Sequence, residues 1–76
     1  MATQYLPYQQ RVVDEATELK IKLTKLLGFI ETFDSPDCKV DEYDKLLLDA
    51  QATHMVRYLN VLDTRILNFG VQNARL

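Results

Sequence analysis

The sequence predicts an all-α fold. The expected form is an antiparallel helical hairpin of two long helices with a short N-terminal lead, assembling as a homo-oligomeric helical bundle. Three observations lead there. One apolar seam runs Val12, Ala16, Leu19, Leu23, Leu26, Ile30, Phe33, with steps of four and three alternating. A second runs Leu48, Ala52, Met55, Leu59, Leu62, Ile66, Phe69 in the same alternation. That period keeps each set on one stripe of a helix, the pattern of helices packed along a narrow seam. Between the seams, Asp34-Ser35-Pro36-Asp37 breaks the period and marks a turn.

The elements follow in chain order. Residues 1–6 form the lead. Leu6, preceding a proline, is biased toward extended backbone, and Pro7 suits the first turn of a helix, where its missing N–H has no helical partner to lose. The first helix is expected over about residues 7–33. Its acids come early (Asp14, Glu15, Glu18) and its lysines later (Lys20, Lys22, Lys25), which complements the helix dipole. The turn occupies residues 34–40. Asp41 is the expected N-cap of the second helix, with Asp44 in its first turn. That helix is expected over about residues 41–69, ended by Gly70 as the residue after its C-cap, with 71–76 as a tail. The whole chain, 1–76, reads as one domain.

Assembly is expected from size and surplus. A chain of 76 residues is near the lower limit for independent folding. One cysteine excludes an internal disulfide, and one histidine beside it makes no zinc set. Partner copies are the remaining staple. Val13, Ile21 and Leu27 lie off the first seam, and Leu46, Leu47, Val56, Val61 and Leu67 off the second. A two-helix hairpin cannot cover them, so a symmetric homo-oligomer is expected to.

Composition excludes several function classes. A net charge of −2 argues against binding DNA or RNA polymer. Unbroken apolar runs fall far short of the ~18 residues of a membrane span. Met1-Ala2-Thr3-Gln4-Tyr5 has neither the basic nor the apolar region of a secretion signal, so the expected compartment is the cytosol. Gly28 and Gly70 stand apart and form no phosphate loop, and no acid/base pair is placed for a cleft. A binding protein, with no cofactor and no metal, is expected rather than an enzyme.

Two groups of residues invite a ligand. Tyr8 and Arg11 share one face at the start of the first helix, close to Tyr5. There free backbone N–H groups and the dipole favour an anion, an arginine fork matches phosphate oxygens, and a tyrosine offers a stacking face worth ~1–3 kcal/mol per base. The structural reading is that the tyrosines pack a helix end and Arg11 is solvated. On the second helix, Leu47, Gln51, His54, Tyr58, Val61, Arg65 and Asn68 form a mixed polar stripe beside the seam. Such a stripe fits a subunit interface or the wall of a pocket between subunits. His54, alone, is expected in a hydrogen bond rather than on a metal. Arg65 pairs with an acid or caps the C-terminal end of the hairpin, or, in its functional reading, contacts a phosphate. Cys38, in the turn, has only Lys39 near it and reads as an inert thiol.

The string Tyr8-x-x-Arg11-Val12-x-x-Glu15-x-x-Glu18-Leu19-x-x-Lys22-x-x-x-Leu26-x-x-Phe29-Ile30 resembles the hairpin domain of phage anti-CBASS and anti-Thoeris sponge proteins. Leu47-Leu48, Gln51, Met55, Tyr58, Leu62, Arg65-Ile66 and Phe69 continue the likeness, which spans roughly residues 6–69. The resemblance implies compact homo-oligomers, typically hexamers, in the cytoplasm of the infected bacterial host. It implies that cyclic dinucleotides are bound between subunits and are not degraded, which starves the host's immune effectors. Some members also take cyclic trinucleotides on a three-fold axis, and the Thoeris-directed branch takes signals derived from cyclic ADP-ribose. Carried onto this sequence, Tyr8 and Arg11 lead the ligand residues, followed by Lys22, Tyr58 and Arg65. His54 stands where the family often has a small residue, and the turn with Pro36 and Cys38 is particular to this chain. The competing reading is a helical adaptor or inhibitor that docks its apolar faces on a host protein.

Overall fold

A computed structural model describes residues 5–74 of the chain. Helix α1 spans Pro7–Ile30, a 3₁₀ turn spans Glu31–Asp34, and helix α2 spans Glu42–Ala74. The two helices pack antiparallel as the hairpin the seams predict. Residues 1–4 of the predicted lead and 75–76 of the predicted tail lie outside the described residues.

Both starts follow from local chemistry. Leu6 is extended, Pro7 opens α1, and the Gln9 side chain turns back so that its Oε1 accepts from the Leu6 N–H at 2.9 Å. Asp41 caps α2: its Oδ1 accepts from the Asp44 N–H at 2.7 Å, as expected of that pair. The ends differ from expectation. The α-helix stops at Ile30 instead of Phe33, and the last turn tightens to 3₁₀ geometry, a usual way to use up terminal carbonyls. Within that turn, Thr32 Oγ1 donates to the Phe29 carbonyl at 2.6 Å. Gly70 does not end α2, which continues to Ala74. Glycine terminates a helix by entering left-handed backbone, and no glycine here has positive φ. Packing of residues beyond it against α1, described below, supplies the reason.

The seams form the core. Val12, Ala16, Leu19, Leu23, Ala52, Leu62 and Phe69 are buried, and the other seam residues are half-buried. Leu62, at 1% exposure, is its most enclosed apolar side chain. The off-seam residues Ile21, Leu27, Leu46, Leu47, Val56, Val61 and Leu67 are exposed, and Val13 is half-buried. At the turn end, Lys45 lies 5.8 Å from the Phe33 ring centre and donates to the Phe33 carbonyl at 3.4 Å and to Glu42 at 3.1 Å. Its pKa is raised, chiefly by the Glu42 hydrogen bond.

Candidate ligand face at the open end

Each helix has two flanks beside its seam, and antiparallel packing brings like flanks together. On one side Lys20 reaches Asp63 at 3.8 Å across the helices. The opposite side carries the residues singled out from the sequence. Tyr8, Glu15 and Lys22 recur every seven residues on α1, as do Gln51, Tyr58 and Arg65 on α2. Arg11 lies in the adjacent outer row of the same flank.

Tyr8 and Arg65 are brought together through Phe69. The Tyr8 ring meets the Phe69 ring edge to face, with centres 5.7 Å apart and planes at 82°. The Arg65 guanidinium lies 5.8 Å from the Phe69 ring centre. An aromatic pair and a cation–π contact at these distances orient both groups without burying them. Tyr8 and Arg65 remain exposed while Phe69 is buried.

Seven residues further along each helix, the Tyr58 hydroxyl comes under the influence of the Glu15 carboxylate. That influence is the leading reason that the Tyr58 pKa is raised. Desolvation and the Glu15 charge push the same way, and the Arg65 charge opposes them. Arg11 is exposed on the lip of a groove of about 380 Å³ that it lines with Val12, Asp14, Glu15 and Glu18. Lys22 is not brought to the open end. It lies fourteen residues from Tyr8 on the same flank, about 21 Å along the helix axis. His54 is exposed, one turn from Tyr58 in the outer row. The helix N-terminus is partly closed to an anion, because the Leu6 N–H is taken by Gln9 and Pro7 has none.

A separate concavity of about 430 Å³ lies at the turn, lined by Phe29, Thr32, Ser35, Asp37, Cys38, Lys39 and Val40. None of the ligand residues named from the sequence lines it, and Cys38 is a half-buried free thiol there.

A protein-family model described as Sequestin matches residues 6–68, most of the chain. The chain belongs to the sequestin family. The family name describes sequestration, which is binding rather than turnover. No curated protein and no solved structure matches the chain. No helix among the described residues of this sequestin is long and apolar enough to cross a membrane.

Sequence reading missed two polar residues beneath this face. Gln9 is buried at 1% exposure, and Asn73 is half-buried. Their side-chain amides bond reciprocally, Asn73 Nδ2 to Gln9 Oε1 at 3.0 Å and Gln9 Nε2 to Asn73 Oδ1 at 3.3 Å. The signal was in the period. Gln9 stands three residues before Val12 and Asn73 four after Phe69, so both seams continue into amides.

Proposed function

We propose that this sequestin binds cyclic oligonucleotide second messengers, cyclic dinucleotides foremost and cyclic trinucleotides as a further class, and holds them intact. In a phage-infected bacterium this would withhold the signal of a CBASS-type defence in the host cytoplasm. Family membership supports sequestration. The observation that carries the choice of ligand is that Tyr8 and Arg65 both pack on the Phe69 ring. It joins a stacking surface to a guanidinium, the chemistry of a base next to a phosphate. Arg11, exposed on the same flank, adds a second fork. Glu15 repels phosphate near Tyr58, so Tyr58 is assigned to a base edge or sugar, and the arginines to the anions. Lys22 lies too far along α1 to reach the ligand held by its own chain's Tyr8, and its contact would come from a neighbouring copy.

One hairpin presents each group once, on an open surface. A near-symmetric cyclic dinucleotide calls for the set twice, from two copies related by a two-fold axis. Duplication at a preorganised interface brings nanomolar affinity, about −12 kcal/mol, within reach. Hexameric assembly of such pairs is the form we favour.

Thermal shift with a panel of cyclic di- and trinucleotides tests the reading, together with calorimetry and chromatography of the released ligand. A ligand at 100 times its Kd stabilises the fold by ~2.7 kcal/mol. The expected results are a clear shift, ligand recovered unchanged, and loss of binding in Arg11→Ala and Arg65→Ala with solution mass unaltered. The exposed Tyr43, Leu46, Leu47 and Val61 on α2 favour an adaptor as the second reading. A monomer or dimer with no shift for any cyclic nucleotide would overturn the proposal and leave that reading standing.

A further inference from the structure

We propose that the Gln9–Asn73 amide pair is the positioning element of the ligand face: it fixes the level at which the two helix ends meet and so sets Tyr8 against Phe69 and Arg65. The inference rests on the proposed function for its consequence in binding, but not for its structural content.

The position of the pair is unusual for its chemistry. Both amides occupy seam positions where every neighbouring seam residue on each helix is apolar: Val12 and Ala16 follow Gln9, and Phe69 and Ile66 precede Asn73. Gln9 is as buried as Leu62. A polar group so enclosed is tolerated only when its hydrogen bonds are made. Those of Gln9 are made at one register. Its Oε1 accepts from Asn73 Nδ2 and from the Leu6 N–H, and its Nε2 donates to Asn73 Oδ1. Sliding α2 by a turn would leave the Gln9 amide facing apolar side chains. Leucines at both positions would tolerate such a slide, since one apolar contact replaces another. A single polar residue in an apolar seam is known to fix register in this way, at some expense in stability.

The pair also connects directly to the ligand face. Gln9 Nε2 lies 3.4 Å from the Tyr8 hydroxyl, which can accept from it. Its bond to Leu6 holds the start of α1, two residues from Tyr8. Asn73 stands four residues after Phe69, on the next turn of the same stripe. One network therefore ties the N-terminal end of α1 to the last turn of α2, with Tyr8 attached on one side and Phe69 held on the other. Asn73 lies beyond residues 6–68, so the family match does not account for this contact. It also explains why α2 runs past Gly70: the last turn of the helix is needed to deliver Asn73.

The experiment compares wild type with Gln9→Leu/Asn73→Leu and with Asn73→Leu alone, all as the full chain. Two readouts are taken: nuclear Overhauser contacts between the Tyr8 and Phe69 rings without ligand, and affinity for a cyclic dinucleotide. Helicity and melting temperature serve as controls, and the double leucine variant should melt at or above the wild-type temperature. The expected result is loss or scatter of the Tyr8–Phe69 contacts with affinity reduced about tenfold or more, because a preorganised surface has become a mobile one. An exchanged pair, Gln9→Asn/Asn73→Gln, keeps the amide chemistry and should recover part of both. Should the double variant fail to fold, Asn73→Leu alone decides, since it leaves the Gln9–Leu6 bond in place. Unchanged ring contacts in the folded leucine variants would overturn the inference, as would unchanged affinity. If wild type binds no cyclic nucleotide but the ring contacts still depend on the amides, the proposed function fails and the positioning role stands.

Discussion

Tyr58 shows how a residue on this face acquires a chemistry that its type alone does not give. The nearby Glu15 carboxylate favours its protonated form, so its pKa lies above the ordinary 10.0. Lys45 is raised above 10.5 by Glu42. A group whose pKa is higher in the folded than in the unfolded state contributes stability below the unfolded value. That contribution is lost as pH rises through the folded one. Both groups therefore predict a melting temperature that declines above pH 10, and Tyr58→Phe should decline less steeply than wild type. Glu15→Ala should return Tyr58 toward its ordinary value, which a pH titration of the Tyr58 ring resonances measures; an unmoved value would dissociate the two residues. The sequence placed Tyr58 on the mixed stripe of the second helix and Glu15 only among the early acids of the first. Only the antiparallel register made them partners, because that register depends on which seam residues lie opposite one another.

Among the elements, α2 gives the sharpest tests. Asp41 was legible as a cap because a short acceptor before a helix has few other uses. Asp41→Ala should cost about 1 kcal/mol in denaturant unfolding. Gly70 was legible as a stop and is not one. It sits within the helix with helical backbone and open space around the site of a Cβ. Gly70→Ala should therefore stabilise the hairpin by about 0.5–1 kcal/mol. A loss of stability would instead place left-handed backbone at that position. Asn73, beyond Gly70, exchanges two hydrogen bonds with Gln9, and these outweigh the local propensity of one residue, since a glycine costs a helix interior about as much as one net hydrogen bond returns.

At the scale of the molecule, the hairpin is long and thin. It measures 56 × 19 × 15 Å with a radius of gyration of 16.9 Å, against about 11 Å for a globular chain of this length. Its accessible surface is 6067 Å², where a compact monomer of this mass would have about 4,800 Å². The surplus exceeds the roughly 800 Å² that one partner contributes to a standard interface. Leu46 and Leu67 are 68% and 74% exposed. The assembly proposed above predicts a solution mass that is a multiple of the chain's 8.8 kDa. Leu67→Asp should lower that mass while the helical content of each chain persists. Within the hairpin, Leu62→Ala should cost about 2–5 kcal/mol, enough to unfold a domain this small.

The sequence by itself determined the two helices, their starts and the stripe that each buries. These follow from a period of three and four and from capping chemistry, which are properties of neighbours along the chain. It also determined that Tyr8 and Arg11 share one face of the first helix, and Tyr58 and Arg65 one stripe of the second. Tertiary structure alone decided that those two flanks face the same way, that Phe69 joins Tyr8 to Arg65, and that Gln9 closes on Asn73 past an apparent helix stop. Those pairings join residues far apart in the chain. Their free energy comes from a register that no local window contains.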